Sequence, residues 1–136
     1  MLFIDSNIWC YYFDESSKEH KKVAVYLDNI LSKEKIVLNT LIIQEISHYL
    51  IKSLGSIKGK EKINKLLEFS FIIKDFDYDL LLIAIDMLSS YTHTGIGGRD
   101  ATILATMKKF NVKQLVTHDK AFKKIDFIQV IDPVEI

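Results

Sequence analysis

The chain opens on a short apolar run, Leu2-Phe3-Ile4, that ends abruptly in three small polar residues, Asp5-Ser6-Asn7. A run of this kind, with no turn residue inside it, is a buried strand. Strands buried on both faces belong to parallel sheets with helices above and below. In open sheets of that architecture, ligands sit beyond the carboxyl ends of the strands. Asp5 therefore stands where such a fold does its chemistry, and the remaining question is which other side chains join it.

The rest of the chain alternates helices and strands as that sheet requires. Ile8 to Phe13 reads as a short helix, with Trp9, Tyr11 and Tyr12 as core or, less simply, as base-stacking platforms. After a polar turn over Asp14 to Lys18, Val23, Tyr26, Leu27, Ile30 and Leu31 mark one buried face of a helix from Glu19 to Ser32. Ile36-Val37-Leu38 is a second strand, and Asn39 or Thr40 caps a helix reaching Ser53. Leu54-Gly55-Ser56 breaks that helix, and another follows from Lys60 to Ser70. Phe71 to Ile73 is the third strand. The Asp77 to Tyr91 helix is apolar over most of its circumference, so deep packing is expected. Gly95-Ile96-Gly97-Gly98 forms a loop, and Asp100 opens a helix that buries Ile103, Leu104, Met107 and Phe110 and stops at Asn111. Leu115-Val116 is the fourth strand and Phe127 to Val130 the fifth. The expectation is one α/β domain over residues 1–136, its parallel sheet covered on both faces.

Composition narrows the class. At 49% hydrophobic and 26% charged residues the chain reads as globular. No apolar run approaches the roughly 20 residues of a membrane span. The first strand begins so near Met1 that no signal peptide is expected. A single cysteine, Cys10, cannot make an internal disulfide; it suits a reducing, cytoplasmic setting and a small core position on the first helix. With 18 basic and 18 acidic residues there is no bulk charge to attract nucleic acid, although a site that holds metal ions needs less side-chain positive charge to accept phosphates.

Four acids take matching places on this scaffold. Asp5 follows strand one, Asp119 follows strand four, Glu45 lies in the second turn of the helix after strand two, and Asp100 begins the helix leading back to strand four. Crossover helices start at the edge where strands end, so all four can face one crevice. Converging carboxylates repel and raise one another's pKa. A hard divalent cation, Mg²⁺ or Mn²⁺, held by these oxygens with a substrate phosphate, is the usual resolution. Each acid also has a plain reading: a helix cap for Asp100, a solvated position for Glu45, polar strand ends for Asp5 and Asp119. Glu45 is the least ordinary, since Ile42, Ile43 and Ile46 surround it.

These segments resemble the PIN-domain nucleases, and in particular their VapC-type toxins. The likeness runs in order through Leu-Phe-Ile-Asp-Ser-Asn-Ile at the N-terminus, Asn39 to Glu45, Arg99 to Ala105, and Leu115 to Phe122. It implies a three-layer α/β/α fold with strand order 3-2-1-4-5. It further implies Mg²⁺- or Mn²⁺-dependent cleavage of RNA, with Asp5, Glu45, Asp100 and Asp119 as the metal-binding catalytic acids and Ser6, Asn7 and Thr117 as polar support. A homodimer silenced by a small antitoxin protein is implied as well. His118 falls where the family varies freely, and His48 lies one turn beyond Glu45.

Among basic residues, Arg99 (the sole arginine) and Lys120 are candidate RNA contacts, as is a patch of Lys52, Lys58, Lys60, Lys62 and Lys65 after the Glu45 helix, with Lys58, Lys60 and Lys62 at its centre. A solvated lysine face is the plain alternative for that patch. Two other functions stand against the nuclease: a non-catalytic RNA-binding or regulatory domain of the same fold, and an aspartyl-phosphate phosphohydrolase using Asp5. The second is disfavoured because Asp5-Ser6-Asn7 lacks another acid two residues on.

Overall fold

The computed structural model describes residues 1–136. In chain order the elements are β1 (Leu2–Ile4), α1 (Ser6–Phe13), α2 (His20–Ile30), β2 (Ile36–Asn39), α3 (Thr40–Leu54), α4 (Ser56–Glu68), β3 (Ile72–Lys74), α5 (Tyr78–Tyr91), α6 (Gly98–Lys109), β4 (Gln114–Val116) and β5 (Gln129–Ile131). All five strands are parallel, in the order β3-β2-β1-β4-β5. β1 is central: Leu2 and Phe3 pair with Ile36 and Val37 on one side, and Leu2, Phe3 and Ile4 with Gln114, Leu115 and Val116 on the other. Every β1 residue is buried, which is why the run carries no polar alternation. The ladder runs one residue further, where Asp5 N–H donates to Val116 O at 2.9 Å. The Asp5 side chain is thereby fixed at the sheet's carboxyl edge.

Helices cover both faces of the sheet. α1 packs on α2 and α3, α3 on α4, and α5 on α6. Trp9 is fully buried against Phe13, Phe69 and Phe71, with ring centroids 5.2–6.3 Å away, so it anchors α1 and does not stack bases. Cys10 is buried on the same helix. No helix is long and apolar enough to cross a membrane.

Three expectations need correction. The helix after Gly55 starts at Ser56, not Lys60. Gly55 adopts φ +93°, closing α3 and opening α4 in a single residue, so the chain reverses without a loop. The apolar pattern concealed this because Ile57, in that first turn, is exposed. Asp100 does not open α6: the helix begins at Gly98, and Asp100 is its third residue, accepting from Gly97 N–H at 3.1 Å. Finally, α5 is not deeply packed. Only Leu80 and Ala84 are buried; Leu81, Leu82 and Ile85 are 43–56% exposed. With α6 as its partner, α5 has one covered stripe, and its remaining apolar side chains face outward.

Strand ends shift by one or two residues: β3 is Ile72–Lys74 and β5 is Gln129–Ile131. Asn111, at φ 56°, ends α6 in the left-handed conformation that asparagine tolerates.

Candidate active site

Asp5 caps α1. Its Oδ1 accepts from Ser6 N–H at 2.7 Å, and its Oδ2 accepts from the Thr117 hydroxyl at 2.7 Å. Thr117, fully buried just past β4, also accepts from Asp119 N–H at 3.0 Å and from Asn7 Nδ2 at 3.5 Å. One hydroxyl thus holds the ends of β1 and β4 together and aims both acids at the same edge. Ser6 Oγ lies 3.3 Å from Asp5 Oδ1 and donates to Glu45 Oε1. A hydroxyl has one proton to give, and the closer Glu45 takes it.

Glu45 arrives from α3, whose setting depends on Asn39. This buried side chain accepts from Ile42 N–H at 2.7 Å as the helix cap and donates to Thr106 Oγ1 on α6 at 3.0 Å. α3 and α6, the helices that carry Glu45 and Asp100, are therefore clamped to each other by one amide. Thr106 was not anticipated; within α6 it reads from sequence as an ordinary helical threonine.

Burial pushes the Asp5 carboxyl up to about 6, against the opposing pull of Thr117 and Ser6 N–H, with the charges of Glu45 and Asp100 adding to the rise. Asp100 is raised as well, by burial first and then by Asp119, while Gly97 N–H and Arg99 lower it. The charges of all four acids are linked in this way across the crevice. The carboxylate of Asp119 accepts from Ala121 N–H at 2.9 Å, so it caps the following turn, with its other oxygen uncommitted. Asn7 Oδ1 is buried with no hydrogen-bond partner. One cation touches the cluster: Arg99 Nε stands 3.3 Å from Glu45 Oε2, on a side chain 70% exposed. A donor set made of carboxylate oxygens with too little positive charge beside it fits a hard divalent cation, and Asp5, Glu45, Asp100 and Asp119 are the residues that could hold one.

Beside the acids runs a groove of about 460 Å³, lined by Asn7, Tyr11, Glu45, Tyr49, Lys52 and Arg99 among others. His48, Tyr49 and Lys52 reach it at three, four and seven residues beyond Glu45, the spacing of one helical face. That spacing was a signal available in the sequence for Tyr49, while Lys52 is the one member of the expected lysine patch that lines this groove. Lys58 and Lys62 line a different groove, with Phe13, Asp14 and Glu15 at the far end of α1. Lys60 and Lys120 are exposed. His118 faces Asp132, its Nδ1 2.9 Å from Oδ2.

Known proteins resemble this chain over its length. The sequence model of the PIN domain matches residues 2–128. Ribonuclease VapC6 of Methanocaldococcus jannaschii is 25% identical, over 96% of this chain and 95% of its own. VapC20 of Mycobacterium tuberculosis, described as a sarcin-ricin loop cleaving toxin, superposes with a TM-score of 0.80 at 18% identity, covering 94% of this chain and 97% of its own. A chain from a toxin–antitoxin complex of Klebsiella pneumoniae superposes with a TM-score of 0.72 at 19% identity and 98% coverage of each.

Proposed function

The chain belongs to the PIN-domain family, and from that premise we propose that it is a metal-dependent endoribonuclease, the toxin of a toxin–antitoxin pair. The observation that carries this reading is the group of four acids at one sheet edge whose charges act on one another. Asp5, Glu45, Asp100 and Asp119 would hold Mg²⁺ or Mn²⁺. Bound there, such an ion supplies an acidified water and a countercharge for the departing phosphodiester oxygen.

The chain's own groups do the placing. Thr117 and Ser6 N–H lock the Asp5 carboxylate, and the Ser6 hydroxyl fixes Glu45. Asp119 keeps one oxygen to orient the attacking water. Arg99 exchanges its partner Glu45 for a substrate phosphate, and Lys52 holds the RNA backbone along the groove. Lys120, exposed one residue past Asp119, is a further phosphate contact. Lys58 and Lys62 line another groove, so Lys52 and Arg99 are the stronger candidates.

Two partners follow from the same reading. A small antitoxin would fill the groove, as its relatives from toxin–antitoxin complexes suggest. A second copy of the chain would cover the exposed strip of Leu81, Leu82 and Ile85 on α5, giving a homodimer.

The test is cleavage of a labelled single-stranded RNA panel with Mn²⁺, Mg²⁺ or EDTA, comparing wild type with Asp5→Asn. Metal-dependent cutting that Asp5→Asn loses while remaining folded is the expected result. RNA left intact by the wild type under every metal would refute the nuclease. Retention of RNA without cutting would favour a binding module of the same fold.

A further inference from the structure

His118 sits between Thr117 and Asp119, yet its imidazole turns toward the segment after β5. Its Nδ1 lies 3.1 and 2.9 Å from the two oxygens of Asp132, whose side chain is 6% exposed. Asp132 is itself fixed: its Oδ1 accepts from Val134 N–H at 3.0 Å. Glu135 N–H donates to Asp132 O at 3.3 Å, and this turn carries Glu135 round to the same place. One ligand atom from each of His118, Asp132 and Glu135 lies within 4.8 Å of the other two.

We propose that His118, Asp132 and Glu135 form a second metal site, distinct from the four-acid crevice and suited to Zn²⁺ or a similar transition ion. Tetrahedral metal–ligand bonds of about 2.0–2.2 Å set neighbouring donor atoms roughly 3.3–3.6 Å apart, so Nδ1 and the Asp132 oxygens, now 2.9 and 3.1 Å apart as a hydrogen-bonded pair, need only part slightly to admit an ion. An imidazole among the donors selects against Mg²⁺, which favours oxygen, and toward Zn²⁺. Charge points the same way. Two carboxylates face one imidazole, so even a protonated ring leaves the group negative, and neither acid is paired with a lysine or arginine. Lys22 Nζ donates to the Val134 carbonyl at 3.1 Å and makes no ion pair with Asp132 or Glu135. The ring of Tyr11, edge-on to His118 at 6.3 Å between centroids, holds the imidazole's plane. Ligation through Nδ1 leaves the remaining ring proton on Nε2.

Such an ion staples the end of β4 to the chain after β5, and so steadies the segment that carries Thr117 and Asp119. The assignment stands independently of the nuclease reading.

The experiment is a Zn²⁺ titration of the 136-residue chain carrying Asp5→Asn, following the ring nitrogens of its four histidines by ¹⁵N NMR, with Mg²⁺ as the comparison. Zn²⁺ is expected to move the His118 signals and saturate them near about one equivalent, while excess Mg²⁺ leaves them in place. Glu135→Gln, on an exposed side chain that caps nothing, should weaken Zn²⁺ binding roughly tenfold or more. His118 signals indifferent to Zn²⁺, a response confined to His48 beside Glu45, or unchanged affinity in Glu135→Gln would each overturn the site.

Discussion

Replacing Asp5 by asparagine should stabilise the metal-free protein at neutral pH while removing its proposed activity. Burial, foremost, raises the Asp5 carboxyl from the ordinary 3.8 to about 6. Each tenfold change in proton affinity corresponds to about 1.4 kcal/mol, so ionised Asp5 costs the fold about 3 kcal/mol. Because the folded value is the higher one, the native state holds the proton more tightly than the unfolded chain. The favourable contribution is complete below about pH 4, fades as pH rises toward 6, and is gone above it. Asparagine keeps the oxygen that accepts from Ser6 N–H, but turns an amide toward the Thr117 hydroxyl, which already accepts from Asp119 N–H and Asn7 Nδ2 and is left with its own proton unpaired. An unpaired buried donor costs about 2 kcal/mol. The net gain is about 1 kcal/mol at pH 8, or roughly 3 °C in Tm for a chain of this size. The assay is urea unfolding in EDTA at pH 4 and pH 8. Wild type should lose stability between the two relative to Asp5→Asn, and the advantage of the variant should give way to a deficit at pH 4. A variant less stable than wild type at pH 8, or a difference independent of pH, would refute the account of a buried, repelled carboxylate.

Other perturbations test separate parts of the structure. Ile85→Glu puts a charge at the most exposed residue of the α5 strip and should convert a dimer to monomer by light scattering, whereas an unchanged mass would rule this strip out as the contact. Gly59→Ala, despite alanine's better helix propensity, should destabilise by about 2 kcal/mol in urea. Its Cβ would lie 2.5 Å from Ile51 Cα, a backbone atom that yields only if α4 moves off α3. The Cys10 thiol is pushed up to about 12, first by burial and then by Glu45, Asp5 and Asp14. It should therefore resist a thiol reagent at pH 8 in the native protein and react promptly after denaturation.

Much of this protein was legible in one dimension. Leu2-Phe3-Ile4 announces a central strand because a strand buried on both faces has no side left for polar residues. The caps at Asn39 and Asp77 and the stop at Asn111 are local chemistry, decided within a few residues of chain. Placing acids at strand ends and helix starts follows from the handedness of parallel crossovers, a rule that reaches across the fold without coordinates.

What the sequence left open depends on which surfaces meet. The α5 helix is apolar nearly all round, but a pattern cannot say that its packing, chiefly on α6, covers only one side of it, so its exposed strip emerged only in three dimensions. Likewise, the early start of α4 depends on Gly59 admitting the α3 backbone, a contact that adds no periodicity of its own. The clamp between Asn39 and Thr106 joins residues far apart in the chain, as do the bond from Thr117 to Asp5 and the approach of His118 to Asp132 and Glu135. Local patterns record what a residue wants near it in the chain. Only the packed structure decides which distant polar groups are brought close enough to act on one another.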